Sequence, residues 1–220
     1  MVNIIFLGAP GSGKGTQSAL LSNDLKVPSI STGEILRKEV SESTEIGVVA
    51  EKYMKSGDLV PDYLIIDIIK KRASLKDCKG GFILDGFPRN ILQAKMLEDM
   101  MLSLQKNIDL VIDIKVDESI LIKRISGRFA CKKCGAVYNH FFSKTVLEGS
   151  CDKCFGGIFE SRSDDNEESV KNRLKIYHQN SFDLVNFYKK KDLIYSADGS
   201  MDIGLLCVEI KKAVNSLLNN

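Results

Sequence analysis

Short apolar runs alternate with amphipathic stretches along most of this chain. Apolar runs of about four to eight residues bounded by turn formers read as buried strands, and apolar periods near about 3.6 read as helices. Strands are therefore expected at residues 2–7, 27–30, 81–85, 109–116 and 193–196. Helices are expected to begin near Gly13, Thr32, Glu45, Pro61, Asn90, Asp117, Asp165 and Met201, several of them with Ser, Thr, Asp or Pro at the cap or first turn. Strands interleaved with helices predict an α/β fold, a five-stranded parallel sheet flanked by helices. In such sheets ligands collect beyond the carboxyl ends of the strands, where the loops after Leu7, Ile30, Asp85 and Val116 converge. Two segments break the rhythm and read as insertions: a helical stretch over residues 31–60, and residues 127–164, rich in Cys, Gly and aromatics. The core is left with residues 1–30, 61–126 and 165–220. Cys207 shares a helical face with Ile203, Leu206, Ile210 and Val214 and reads as a small core hydrophobe.

Composition narrows the partners. At 220 residues there is room for one core with appendages. Lys and Arg number 31 against 29 Asp and Glu, a net charge of +2, so no overall field marks a duplex or membrane binder. No apolar stretch is long enough to span a bilayer, and Val2 to Leu7 is too short for the core of a signal peptide, so a cytoplasmic protein is expected.

The candidate chemistry begins directly behind the first strand, at Gly8-Ala9-Pro10-Gly11-Ser12-Gly13-Lys14-Gly15-Thr16. Glycines let successive backbone N–H groups converge on one anion, the helix that follows offers its positive end, and Lys14 adds a full charge. A strand, a glycine-rich loop closing on Lys, and a helix together form a P-loop, the cradle for a nucleoside triphosphate. Gly15 stands where the general pattern has Ser or Thr, and Thr16 follows it. In the second insertion, Cys131-Lys132-Lys133-Cys134 and Cys151-Asp152-Lys153-Cys154 are two C-x₂-C pairs with sixteen residues between them. Each pair can wrap two thiolates around one side of a tetrahedral Zn²⁺, and four protein ligands leave no open position, so the metal is structural. Two disulfides or a redox pair are the alternatives, and a reducing compartment disfavours the disulfides.

Ser31-Thr32-Gly33-Glu34-Ile35-Leu36-Arg37, and Leu84-Asp85-Gly86-Phe87-Pro88-Arg89 followed by Gln93, join the loop. With these motifs the chain resembles the adenylate kinases from end to end, in their bacterial long-lid, zinc-containing form. The resemblance implies a P-loop nucleoside monophosphate kinase that moves a phosphoryl group reversibly from Mg²⁺-bound ATP to AMP, giving two ADP and balancing the adenine nucleotides. It assigns residues 31–60 to AMP binding and residues 127–164 to a zinc-bound lid that closes over ATP, with Gly127 and the stretch from Ser161 to Asp165 as hinges. It implies ATP contacts from Gly11, Ser12, Gly13, Lys14, Gly15, Thr16, Arg124, Arg128, Val137, Tyr138 and Met201. For AMP it implies Thr32, Arg37, Asp58, Leu59, Val60, Gly86, Phe87, Pro88, Arg89 and Gln93, with Arg162 and Arg173 bridging donor and acceptor. Catalysis falls to Lys14, Asp85, Arg89, Arg124, Arg128, Arg162 and Arg173. The cations neutralise converging phosphates, with planar guanidinium forks suited to gripping two oxygens at once, and Asp85 orients Mg²⁺ or its waters. No general base is needed, because the AMP phosphate is already a nucleophile. A monomer follows from the same resemblance, with no nucleic-acid or membrane partner.

Some residues leave other readings open. Asn90 stands where many adenylate kinases carry Thr, and related pyrimidine-nucleotide kinases use Asn there, so CMP or UMP is the alternative acceptor. The cysteine pairs alone also allow a zinc-ribbon nucleic-acid binder, which the near-neutral charge disfavours. His140 and His178 read as surface or packing residues, and Asp164 and Asp165 as caps of the helix that follows them.

Overall fold

A computed structural model describes residues 2–162 and 164–218; Met1, Ser163, Asn219 and Asn220, which the expected segments include, lie outside the described residues. The central sheet contains β1 (Val2–Gly8), β2 (Ser29–Ser31), β3 (Gly81–Asp85), β4 (Leu110–Lys115) and, last in the chain, β8 (Ile194–Asp198). Its order is β2-β3-β1-β4-β8 and every pairing is parallel, as the alternation predicts. A parallel sheet needs cover on both faces, and alternation along β1 supplies the two apolar faces. Ile5 and Leu7 pack with α4 (Asp62–Ala73), α5 (Ile91–Ser103) and α7 (Glu167–Lys189), while Ile4 and Phe6 pack with α1 (Lys14–Leu25) and α8 (Ile203–Leu218). On α8, Leu206, Ile210 and Val214 are buried; Cys207 is only half-buried, at the margin of that face.

The second strand is shorter than expected and begins at Ser29. Pro28 has no N–H to give the ladder, although its carbonyl still accepts from the Ile83 N–H at 2.9 Å. Register brings the chemistry to one edge: Phe6 lies beside Asp85 and Leu7 beside Asp113, at the carboxyl ends of β1, β3 and β4.

The first insertion is a pair of helices, α2 (Thr32–Ser41) and α3 (Glu45–Ser56). They cross so closely at Gly47 that a Cβ there would sit 2.1 Å from the Glu39 carbonyl oxygen. The second insertion follows α6 (Glu118–Ser126) and is a small antiparallel sheet of β5 (Arg128–Cys131), β6 (Val137–Asn139) and β7 (Phe159–Glu160), ordered β6-β5-β7. These strands, two to four residues long, are too short for an alternating pattern to announce them. Among the described residues no helix is long and apolar enough to cross a membrane.

Candidate active site

Between β1 and α1 the glycine-rich loop turns tightly, with Ser12 N–H donating to the Ala9 carbonyl at 3.1 Å. Gly13 caps α1 at φ +98°, a conformation that glycine reaches without strain. Lys14 curls back over the loop, its Nζ donating to the carbonyls of Gly8 (2.7 Å) and Ala9 (2.8 Å). Desolvation lowers the Lys14 pKa to about 8; Asp85 opposes the shift, while Arg89, Arg173 and Arg128 add to it. Asp85, ending β3, comes so close to α1 that a Cβ on Gly15 would lie 3.3 Å from its Oδ2, a tight contact that the carboxylate would have to relieve by shifting a few tenths of an ångström. Ser12 is buried and its Oγ has no partner among the described residues.

This loop forms the floor of a cleft of about 800 Å³. Gly11, Ser12, Gly13, Lys14, Gly15 and Thr16 line it, as do Asp85, Pro88, Arg124, Arg128, Val137, Tyr138, Arg162 and Met201. Arg124 reaches the Ser12 carbonyl at 3.4 Å and sits 5.5 Å from the centroid of the Phe142 ring. A narrower cavity of about 60 Å³ is walled by Thr32, Arg37, Asp58, Leu59, Val60, Gly86, Phe87, Arg89, Gln93 and Arg173. Arg37, Arg89 and Arg173 line both spaces, so the two open onto one shared wall of cations. Desolvation lowers Arg89 to about 10 with Arg173 adding to the effect, and it lowers Arg162 to about 10 with Arg128 adding; both stay charged at neutral pH.

Within the narrow cavity, Thr32 Oγ1 donates to the Gly86 carbonyl at 3.1 Å and Arg89 Nε to the same oxygen at 2.8 Å. Gln93 is buried on its wall. The Asn90 side chain caps α5, its Oδ1 accepting from the Gln93 N–H at 2.8 Å. Asp58 turns outward instead: its carboxylate accepts from Ser56 Oγ and Asn172 Nδ2, both at 2.7 Å.

Asp164 and Asp165 are not the caps expected of them; Asn166 caps α7, accepting from the Ser169 N–H at 2.9 Å. The two aspartates face the arginines. Arg173 lies 3.2 Å from Asp164 and 3.4 Å from Asp165, Arg37 lies 3.8 Å from Asp164, and Arg128 pairs with Asp165 through two nitrogens. Three of the cations expected to hold phosphate are thus held together by carboxylates.

In the second insertion the sulfurs of Cys131, Cys134, Cys151 and Cys154 all lie within 4.8 Å of one another, and two of the pairs are 3.5 Å apart. Tetrahedral thiolates at about 2.3 Å from Zn²⁺ stand about 3.8 Å apart, so the sulfur donors fit such an ion. Each knuckle closes with a backbone turn, Gly135 N–H to the Cys131 carbonyl and Phe155 N–H to the Cys151 carbonyl, both at 2.8 Å. The Tyr138 side chain is buried here, its hydroxyl 3.3 Å from Cys151 Sγ and accepting from the Asp152 N–H at 2.9 Å. Committed in this way, the phenol is not free to grip a ligand, which leaves the exposed Val137 and the backbone to face the cleft.

The family model for adenylate kinase matches residues 6–193. Adenylate kinase from Archaeoglobus fulgidus is 44% identical over 98% of this chain and 99% of that protein. Adenylate kinase from Caldicellulosiruptor bescii is 45% identical over 97% of this chain and 99% of that protein. Adenylate kinase from Limosilactobacillus fermentum is 41% identical over 98% of this chain and all of that protein. The chain belongs to the adenylate kinase family. Two parts of the cleft are not encoded in any local motif of the sequence. One is the pairing of arginines with Asp164 and Asp165, which only the chain's return to the cleft creates. The other is Asp113, two residues before the carboxyl end of β4, buried, lining the cleft, with Oδ1 unpartnered among the described residues. Burial raises its pKa, with Lys115 and Lys14 opposing. A carboxylate inside the apolar run Leu110 to Ile114 was the signal that could have found it in this adenylate kinase family member.

Proposed function

We propose that the protein transfers the terminal phosphoryl group of Mg²⁺-bound ATP to AMP, reversibly, yielding two ADP. The observation that carries this is the shared cation wall: Arg37, Arg89 and Arg173 line both the cleft over the phosphate loop and the narrow cavity beside it. Two phosphate groups brought together there repel each other, and catalysis consists of holding them in line while their charge is neutralised. An oxygen of the AMP phosphate attacks the γ-phosphorus as the bond to the β-γ bridging oxygen breaks, and ADP leaves; no proton has to be removed from the nucleophile. Lys14, Arg124 and Arg128 take the donor phosphates, Arg37 and Arg89 the AMP phosphate, and Arg162 and Arg173 both. Nucleotide phosphates then replace Asp164 and Asp165 as partners of Arg37, Arg128 and Arg173.

Asp85, in the cleft beside α1, would hold Mg²⁺ or its waters, and the ion would supply charge neutralisation to the ATP phosphates. The four cysteines hold Zn²⁺, which supplies folding energy to a segment with a small core of its own. Residues 127–164 then act as a lid that closes over ATP and excludes water, and residues 31–60 as the AMP-binding insertion. None of the six cysteines is paired in a disulfide, in keeping with a cytoplasmic protein, and the site is complete within one chain, in keeping with a monomer. Gln93 reads the adenine edge from the cavity wall. Asn90 serves as a helix cap, so it lends no weight to a pyrimidine acceptor.

The test is to mix metal-replete protein with Mg·ATP and, separately, AMP, CMP, UMP and GMP, and to follow diphosphate formation by chromatography. Fast ADP formation confined to AMP is expected. Turnover of CMP or UMP at a comparable rate would transfer the acceptor site to pyrimidines, and no transfer to any acceptor would overturn the kinase reading.

A further inference from the structure

We propose that Asp62 sets base selectivity at the acceptor site by holding the Gln93 side-chain amide in one of its two orientations. This rests on the reading that Gln93 meets the acceptor base. A glutamine amide presents two N–H donors and two oxygen lone pairs, and turning it by half a revolution exchanges them. Here both ends are tied. The Arg89 backbone N–H donates to Gln93 Oε1 at 2.7 Å, and Gln93 Nε2 donates to Asp62 Oδ1 at 2.7 Å. A backbone N–H can only donate and a carboxylate oxygen accepts, so these partners fix which end is oxygen and which is nitrogen. The reversed amide would set its NH₂ against the Arg89 N–H and its oxygen against the Asp62 carboxylate, and Gln93 is only 2% exposed, so water cannot relieve either conflict.

What remains for a ligand is one N–H and one lone pair. That pair matches a base edge with a ring-nitrogen acceptor beside an exocyclic amino donor, the edge of adenine. It mismatches hypoxanthine, guanine and uracil, whose ring N–H and carbonyl are the reverse. Cytosine carries the same acceptor-and-amino pattern as adenine, so its exclusion falls to the size of the cavity and not to this amide. Asp62 is not part of the cavity wall, and its partnership spans 31 residues of chain, from the first turn of α4 to the first turn of α5. It is therefore a positioning residue. The helix start does not consume it, because the cap position of α4 is Pro61, with no side-chain cap bond.

AMP and IMP differ at the relevant edge alone, which makes them the probe. We would measure kcat and KM with Mg·ATP, equilibrium binding by calorimetry, and Tm, for the wild type, Asp62→Asn and Gln93→Leu. Asp62→Asn keeps the size of the side chain and offers an amide that can donate to Gln93 Oε1, so the reversed orientation loses one of its two conflicts and only the Arg89 N–H still opposes it. We expect KM for AMP to rise about tenfold, more than kcat falls, and the AMP-to-IMP preference to shrink by about 10- to 100-fold in kcat/KM and in Kd. Gln93→Leu should flatten the preference as well. A preference lost in Gln93→Leu but kept in Asp62→Asn overturns the role of Asp62 and leaves the reading of Gln93 standing. A preference kept in Gln93→Leu overturns both. A purely structural role for Asp62 would lower Tm without moving the preference. If Asp62→Asn alone folds poorly, the paired exchange with Gln93→Glu restores an acceptor for the Arg89 N–H and for the introduced amide. Tm should then recover while AMP preference does not, and recovery of AMP preference in the pair would overturn the proposal.

Discussion

At the scale of single residues, charge in the cleft is opposed by burial, and the cost is visible in Lys14. Its pKa stands at about 8 in the folded protein against 10.5 ordinarily. The folded state therefore resists protonation that the unfolded chain accepts, so the penalty is fully present below pH 8 and fades as pH rises towards 10.5. Lys14→Met should raise the stability of the nucleotide-free protein at pH 7 by on the order of 1 kcal/mol while abolishing turnover. The gain, followed by thermal unfolding between pH 7 and pH 10, should dwindle with rising pH; a gain that grew with pH would contradict this account. Arg89 is the complementary case. Its side-chain hydrogen bond runs to the Gly86 carbonyl and its head lies open to the cleft, so Arg89→Ala should lose about 10³-fold in kcat/KM with Tm nearly unchanged. Near-normal turnover would remove Arg89 from the phosphate site. These two residues were legible in the sequence because their motifs are local. Asp113 was not, because a buried carboxylate gains meaning only from what surrounds it.

At the scale of elements, the parallel strands and their helices announced themselves through periodicity, since each buries a face against the same sheet. The packing between elements did not. Gly47 looks like an ordinary helical glycine in the sequence, and a helix-propensity argument alone says that Gly47→Ala stabilises by about 1 kcal/mol. The contact with α2 reverses the sign: a Cβ 2.1 Å from the Glu39 carbonyl oxygen forces the two helices of the first insertion apart. We expect Gly47→Ala to lower stability by roughly 2 kcal/mol or more in chemical denaturation and to weaken AMP binding. A stabilised variant would show that α2 and α3 yield without cost. The small sheet of the second insertion escaped detection for a different reason: four sulfurs and a few aromatics hold it, and no apolar face repeats along its strands.

At the scale of the whole molecule, the two insertions flank a single cleft, and the second carries four cysteines that leave a tetrahedral ion no open position for substrate. Removing the metal with a strong chelator should therefore lower Tm but leave measurable phosphoryl transfer at low temperature. Immediate and complete loss of activity with the fold intact, read by circular dichroism, would instead argue for a metal at the reacting atoms. The aspartates facing Arg37, Arg128 and Arg173 belong to this scale too, since residues more than a hundred positions apart in the chain meet there.

The sequence by itself determined the elements of the central sheet and its covering helices, the phosphate loop, the cysteine quartet and the family. Each of these is encoded by short spacings: apolar period, glycines before a lysine, pairs of cysteines, motifs of a few residues. Only the tertiary structure decided which cations share a wall, that Asp164 and Asp165 hold arginines and do not cap a helix, that Tyr138 turns to the cysteines, and that Asp62 holds Gln93. Those relations join residues distant in the chain, and a hydrogen bond or ion pair depends on distances of a few ångströms that no spacing in one dimension contains.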